Sequence, residues 1–181
     1  MTTLNNPVTL RTSRRDDEAA IAAFYPLAFP EEDLVPLLNE LWQQPDSILS
    51  LVATSEDVPV GHAMFSLCTI AEDPAPLALL GPVAVHPDHQ SSGLGSQLIT
   101  KGLDTLRNRK TAIVCVLGDP NYYSRFGFQP TATLLPPHGP ETPPPGWEGA
   151  WQSLALNSAG EHPGGRLLVP GPWDHEELWL P

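Results

Sequence analysis

Cysteine, basic side chains and long apolar runs are all scarce in this sequence. Its 181 residues include 2 cysteines, Cys68 and Cys115, and neither has the CxxC or Cys/His spacing of a metal site. We therefore expect reduced core thiols, no disulfide framework and no metal. No apolar run approaches the ~20 residues that a membrane span needs, and residues 1–6 lack the basic-then-apolar pattern of a secretory signal. The expectation is a cytoplasmic protein without a membrane partner.

Positive charge is scarce as well. Nine Lys and Arg against 21 Asp and Glu give a net charge of −12, whereas nucleic acids and anionic membranes select for a basic face. We expect neither as a partner. A hydrophobic content of 41% and a charged content of 17% are typical of a globular protein. The length predicts a single domain over residues 1–181, with a core over 8–130 and proline-rich strands and loops over 131–181.

Apolar periodicity predicts the following elements along the chain. Strands are predicted at residues 8–12, 48–54, 58–70, 77–85, 112–117, 151–156 and 166–169. Helices are predicted at residues 16–27, 31–42, 93–109 and, as a short piece, 120–127. Ser13 is predicted to cap the first helix and Asp119 the short helix at 120–127, residues 72–76 to form a turn, and residues 134–147 to form a loop.

The segment from residue 77 to residue 117 predicts a βαβ crossover, because strand, glycine-rich turn, helix and strand follow one another. The predicted fold class is α/β, with a mixed, mostly antiparallel sheet, one parallel crossover and flanking helices. Gly81-Pro82 interrupts the first strand of the crossover. Because proline cannot donate to a sheet ladder, we expect the two parallel strands to separate there.

Residues 83–95 run from a buried strand through a polar turn into a helix opened by glycines. Free N–H groups at a helix N-terminus bind anions, and Gly93 and Gly95 let a phosphate approach the backbone. The pattern predicts a phosphate-bearing ligand without specifying which one. A Walker loop would need a lysine earlier than Lys101, and a Rossmann turn a third glycine, so a nucleotide-binding protein is disfavoured. A purely structural helix start stays an alternative.

Two motifs in this region resemble those of the GNAT superfamily. Gln90-Ser91-Ser92-Gly93-Leu94-Gly95 matches its coenzyme A signature, Gln/Arg-x-x-Gly-x-Gly/Ala, and residues 123–128 match its Tyr-x-x-x-Gly-Phe hallmark. The string from Gly118 to Phe128 resembles a bacterial subgroup with a GDPxYYxRFGF motif. The resemblance implies the GNAT fold and direct transfer of an acetyl group, in a ternary complex, from acetyl-CoA to a primary amine. The acceptor is a small molecule or a protein amine. A non-catalytic acyl-CoA sensor of the same fold is the alternative.

The resemblance also implies residue roles. Tyr123 is expected to be the general acid that protonates the departing thiolate, with Tyr122 as a structural neighbour. Backbone groups of Val83 and Val85 are expected to pair with the pantetheine arm, and those of residues 91–96 to hold the pyrophosphate. The full set of expected cofactor contacts is Val83, Ala84, Val85, Gln90, Ser91, Ser92, Gly93, Leu94, Gly95, Ser96 and Asn121. Arg125 either meets a coenzyme phosphate or faces solvent.

The general base stays open at this level. The candidates, each of which also fits an ordinary surface position, are Glu31, Glu32, Asp33, His86 and His89. A covalent route through Cys115 is a further alternative. Residues 135–147, with Trp147 and Trp151, are expected to line the acceptor pocket or a homodimer interface.

Overall fold

Nine strands and four helices lie within residues 7–71, 73–139, 148–157 and 164–179, the residues that the structure, a computed structural model, describes. The strands are β1 Val8–Thr12, β2 Ile48–Ser55, β3 Val58–Ile70, β4 Asp73–Val85, β5 Ile113–Leu117, β6 Gln129–Pro130, β7 Leu134–Leu135, β8 Trp151–Ala155 and β9 Gly165–Leu168. The helices are α1 Glu18–Ala28, α2 Val35–Trp42, α3 Leu94–Asn108 and α4 Pro120–Tyr123.

The sheet combines an antiparallel meander with one helical crossover. β1 to β4 pair antiparallel in chain order, and α3 connects β4 to its parallel neighbour β5. β5 pairs antiparallel with β8, and β8 with β6. β9 joins the end of β3 and runs parallel to β7. These pairings confirm the predicted mixed, mostly antiparallel sheet and its crossover, and they add a short second parallel pair.

Helices cover both faces of the sheet. α3 covers one face, and its leucines at positions 94, 98, 103 and 106 are buried there, as their helical spacing predicts. α1 and α2 cover the other face, with Phe24, Tyr25 and Leu38 among their buried side chains. Because strand side chains alternate between faces, the central strands contribute to both layers of core. Among the described residues, no helix is long and apolar enough to cross a membrane.

The predicted cap of the first helix is wrong. The Ser13 hydroxyl donates to the Ser50 hydroxyl at 2.6 Å instead of binding the helix N-terminus. The Asp17 carboxylate accepts the Arg14 N–H at 2.6 Å and pairs with the Arg11 guanidinium at 2.7 and 2.9 Å. A 3-10 turn therefore precedes α1, which begins at Glu18. Ser13 does not cap the helix because its hydroxyl binds Ser50 on the neighbouring strand β2.

Three other boundaries differ from the predictions. β4 begins at Asp73, although a turn is predicted over 72–76. Pro74 and Pro76 lie before the first pair with β5, at Leu77. Their missing N–H groups are tolerated in the strand because this part does not pair with β5. α2 begins at Val35, whose N–H binds the Asp33 carboxylate at 3.2 Å. The predicted loop over 134–147 contains strand β7, and residues 140–147 lie outside the described residues.

Candidate active site

The sheet opens between β4 and β5. Their parallel pairing runs from Leu77 to Leu80 on β4 and, among the described residues, stops there. Gly81 follows with φ +148°, a conformation that favours glycine, and is joined to Pro82 by a cis peptide bond. On the β3 side, the single residue Met64 faces both Gly81 and Pro82, which makes a β-bulge. The predicted separation of the two strands at this dipeptide is confirmed.

Backbone groups of β4 face this gap beyond the proline. The His86 N–H binds the Val60 carbonyl on β3 at 2.8 Å. Because successive N–H groups of a strand point to opposite edges, Ala84 also faces β3, and Val83 and Val85 face the gap. The Gln90 side-chain amide donates to the Val85 carbonyl at 3.0 Å. Ala84 itself is buried against the α1 face, so of the three predicted strand contacts it is the one turned away.

The glycine turn forms a cavity of about 270 Å³ at the N-terminus of α3, here named the turn cavity. Ser91 and Gly93 have positive φ values of 59° and 80°, and Gly93 directly precedes the helix. The first N–H groups of α3 have no acceptor within the helix and are free for an anion. The cavity is lined by Val85, His89, Gln90, Ser91, Gly93, Leu94, Gly95, Ser96, Tyr122 and Arg125.

Most of the predicted pyrophosphate contacts therefore meet in one place. Ser92 is exposed and donates its hydroxyl to the His89 carbonyl, which shapes the turn without lining the cavity. Asn121 is exposed at the start of α4 and lines neither of the cavities described here. Its N–H binds the Asp119 side chain at 2.9 Å, which confirms Asp119 as the helix cap.

Arg125 and Tyr122 also line the turn cavity. The Arg125 guanidinium lies 4.4 Å from the centre of the Tyr122 ring, and its Nε donates to the Tyr122 carbonyl at 2.9 Å. These contacts hold the positive charge beside the free N–H groups of α3. A Cβ on Gly95 would lie 3.1 Å from the Tyr122 hydroxyl, so the glycine leaves room for this ring. Tyr122 thus lines the turn cavity, whereas the sequence pattern predicts only a structural neighbour of Tyr123.

Tyr123 does not line the turn cavity but a second opening, described below. Its ring packs against Tyr122 at 5.0 Å and Phe128 at 5.8 Å between centroids. Burial, and then the neighbouring Tyr122, raise the pKa of Tyr123 to about 12. The phenol is therefore protonated throughout the neutral pH range.

A second and larger opening, here named the gap cleft, has a volume of about 570 Å³. It exposes the separated strands on the face covered by α1 and α2. Its lining consists of Phe29, Glu32, Leu34, Leu37, Leu79, Leu80, Gly81, Pro82, Val83, Leu117, Tyr123, Trp173, Glu177, Leu178 and Trp179. Trp173 closes over the break, since a Cβ on Gly81 would lie 3.7 Å from its ring.

The C-terminal wall of this cleft was missed by the sequence analysis. Trp173, Glu177 and Trp179 come from two 3-10 turns, Gly171–Trp173 and Glu176–Trp179, whose short, proline-bounded segments carry no periodicity. The tryptophans themselves were the available signal, because large aromatic side chains are rarely left in solvent. Trp151 does not line the cleft. It is buried and packs edge-on against Trp179, with 5.9 Å between the ring centres. Trp147 lies outside the described residues.

The candidate bases separate in space. Glu32 lines the gap cleft, whereas Glu31 and Asp33 do not. His89 lines the turn cavity, and His86 packs near Phe24. Each of these groups is at the protein surface or partly exposed, and Glu32 is the one that lines the same opening as Tyr123.

Both cysteines are buried and free, which confirms the prediction of reduced core thiols. Burial raises the pKa of Cys115 well above its ordinary value, so the reactive thiolate is disfavoured. Cys115 lines neither opening. Within the described part of the chain, no group of three or more His, Cys, Asp or Glu residues is arranged to hold a metal ion.

The sheet and its opening are those of the N-acyltransferase fold. Residues 18–128 match the model of the acetyltransferase (GNAT) family, and the chain belongs to that family. It is 33% identical over 137 residues to the uncharacterised N-acetyltransferase YhbS of Escherichia coli K12, a match that covers 75% of this chain and 80% of YhbS. It is 42% identical over 105 residues to the uncharacterised N-acetyltransferase YjhQ of the same organism. That match covers 56% of this chain and 57% of YjhQ.

Two solved structures have the same fold over almost the whole chain. The crystal structure of Escherichia coli YhbS in complex with CoA superposes with a TM-score of 0.81 at 28% identity, covering 97% of this chain and 96% of that one. A GNAT acetyltransferase from Brucella melitensis in complex with acetyl-CoA gives a TM-score of 0.76 at 27% identity, covering 94% and 100%. The mixed α/β architecture is thus shared with acetyltransferases of this family.

Proposed function

We propose that this chain transfers an acetyl group from acetyl-CoA to a primary amine that enters the gap cleft. The observation that carries the proposal is the continuity of the two openings. Val85 and Tyr122 line the turn cavity, while Val83 and Tyr123 line the gap cleft. An extended ligand that follows β4 would run from an anion site to a protonated phenol without leaving the protein surface.

The residues present suit coenzyme A. The free N–H groups of α3 and the Arg125 guanidinium fit its phosphates. The gap-facing backbone groups of Val83 and Val85 fit an amide-bearing arm that pairs like an added strand. YhbS is bound to CoA and the Brucella protein to acetyl-CoA in their crystal structures, which supports this assignment. The thioester then supplies an activated acetyl group beside Tyr123.

The chemistry asked of the protein is limited. The neutral amine nitrogen attacks the thioester carbonyl carbon, a C–N bond forms, and the C–S bond breaks. The gap-facing N–H of Val83 can donate to the carbonyl oxygen as it gains charge. Tyr123 gives its proton to the departing thiolate and regains one from solvent, and the proton of the attacking nitrogen leaves through water. Since both cysteines are buried, direct transfer with both substrates bound is favoured over an acetyl-cysteine route.

Calorimetric titration with acetyl-CoA, with ATP and NAD as controls, tests this function first. Saturable binding of acetyl-CoA alone is expected. Thiol release is then measured over a panel of primary amines. Failure to bind acetyl-CoA at millimolar concentration by demonstrably folded protein would overturn the proposal, and binding without release from any amine would favour the non-catalytic sensor.

A further inference from the structure

Two carboxylates stand at the rim of the gap cleft without a cation. Glu32 comes from the segment between α1 and α2, and Glu177 from the last 3-10 turn. Both side chains are exposed. Among the residues that the structure describes, no lysine or arginine lines this cleft, and neither carboxylate has an ion-pair partner. The rim therefore carries two negative charges that no cation within the described part of the chain neutralises.

The C-terminal wall of the cleft is apolar and held in place by hydrogen bonds. The Trp173 indole donates its N–H to the Ser66 hydroxyl at 2.8 Å, and the Trp179 indole donates to the Trp173 carbonyl at 2.9 Å. The two rings lie 5.9 Å apart. Leucines at positions 34, 37 and 178 complete the apolar surface. Indole faces attract ammonium groups, and a fixed apolar wall suits a methylene chain.

We infer that the acceptor is a small molecule with at least two amino groups joined by an apolar chain. This inference rests on the proposed acetyl transfer. One amine, in its neutral form, reaches the separated strands near Tyr123. The second stays protonated and is held at the rim by Glu32 and Glu177. The volume of about 570 Å³ lies within the range of small-molecule sites.

The proposed binding mode also fixes the charges of acceptor and product. The bound acceptor carries one positive charge, on the amine at the rim, and the monoacetylated product keeps it. In solution the product carries one positive charge fewer than the doubly protonated acceptor, because the acetylated amine has become a neutral amide.

Matched acceptors test the inference. Thiol release at saturating acetyl-CoA is compared for 1,4-diaminobutane against butylamine and for 1,5-diaminopentane against pentylamine. After division by two for the equivalent ends, we expect kcat/KM to be at least about fivefold higher for each diamine, since each rim carboxylate contributes about two- to fivefold. The Glu32→Gln and Glu177→Gln variants should each lower kcat/KM for the diamines by about two- to fivefold and leave kcat/KM for the monoamines unchanged.

Glu40→Gln and Glu176→Gln are the matched controls, because both residues are exposed acids that do not line the cleft. They should leave all four rates unchanged. Equal rates for diamines and monoamines, equal losses in the control variants, or release with a lysine-containing peptide but with no diamine would each overturn the inference while acetyl transfer stands. Absence of thiol release with every acceptor would overturn the proposed transfer itself, and this inference with it.

Discussion

Tyr123 keeps its proton because its ring lies among aromatic side chains rather than in water. Burial raises its pKa to about 12, from an ordinary value of 10.0. As the predicted acid, the phenol would be fully protonated across the neutral range, although its raised pKa makes it a weaker donor than free tyrosine. The position of the tyrosine within its motif predicts this role, but only the surrounding rings determine its ionisation.

We expect the rate of thiol release to rise with pH as the acceptor amine loses its proton. It should show no alkaline decline up to about pH 10, because the pKa of Tyr123 lies higher still. Tyr123→Phe should lower kcat by roughly 10²- to 10⁴-fold while the Kd for acetyl-CoA stays within about threefold. The Tyr122→Phe variant provides the contrast, with its effect expected on binding. A decline in the wild-type rate centred near pH 8 would assign the essential acid to another group.

His62 is buried without any charged partner. Its two ring nitrogens contact the Tyr25 hydroxyl at 2.7 Å and the Ser50 hydroxyl at 2.9 Å, and its ring centre lies 6.0 Å from that of Trp42. A neutral imidazole supplies one donor and one acceptor for these two hydroxyls. Burial lowers the pKa of His62 to about 3, so folding excludes the charged form.

This histidine predicts a loss of stability in mild acid. Below pH 6.5 the unfolded chain binds a proton at His62 that the folded protein refuses until about pH 3, so the free energy of unfolding falls as pH falls through this window. Between pH 7.5 and 5 the loss from this group is about 2 kcal/mol. Urea unfolding at both pH values should show that loss in the wild type and a smaller one in His62→Gln. Asp17, whose pKa Arg11 holds below its usual 3.8, titrates below this range. Equal pH dependence in both proteins would contradict the assignment.

At the scale of elements, β5 and α4 meet at a glycine that leaves room for the tyrosine. A Cβ on Gly118 would lie 2.4 Å from the Tyr123 ring, closer than packed atoms allow. The backbone there is held on both sides, since the Gly118 N–H binds the Ala150 carbonyl at 2.9 Å and its carbonyl accepts from Gln152 at 3.1 Å. The ring rather than the strand must therefore move if this position gains a side chain.

Gly118→Ala should therefore displace Tyr123 and lower kcat by at least about tenfold, since misplacing a catalytic group by ~1 Å can cost 10²-fold. Binding of acetyl-CoA should change by less than about threefold, because the turn cavity is untouched. Stopped-assay rates and calorimetry measure the two effects. Gly171→Ala is the control, as a Cβ there meets one side-chain atom at 4.0 Å. An unchanged kcat in Gly118→Ala would show that Tyr123 need not hold this position.

At the scale of the whole molecule, the C-terminal part belongs to the same sheet as the rest. β8 pairs with all five residues of β5, and β9 extends the end of β3. Trp179 is 3% exposed and packs against Trp151 and Trp173 over the sheet. These contacts tie the segment after residue 130 to the predicted core, and a single cooperative domain remains our prediction. The homodimer also stays a prediction.

Trp179→Ala should lower the free energy of unfolding by about 3–5 kcal/mol, because it removes a buried indole from this junction. The loss should appear as one shifted transition, with fluorescence and circular dichroism coinciding in a thermal scan. Two separate transitions, of which the substitution moves only one, would mean that the C-terminal segment unfolds on its own.

Local rules were sufficient wherever the relevant contacts are close in sequence. The strand over 58–70, the buried stripe of α3 and the cap at Asp119 follow from periodicity and from hydrogen bonds within a few residues. The break at Gly81-Pro82 follows from a missing N–H. The glycine turn that opens α3 could also be predicted, because its residues lie within one turn of the helix N-terminus.

The tertiary structure decided what depends on distant partners. Ser13 failed as a cap because Ser50 competes for its hydroxyl, and β4 begins early because its prolines fall beyond the ladder with β5. The turns that carry Trp173, Glu177 and Trp179 reach the gap cleft only because packing against Ser66 and Trp151 brings them there. The sequence by itself determined the fold class and the glycine turn before α3, since the order of elements and the turn follow from local patterns. The C-terminal wall of the gap cleft rests on long-range packing, which no local pattern records.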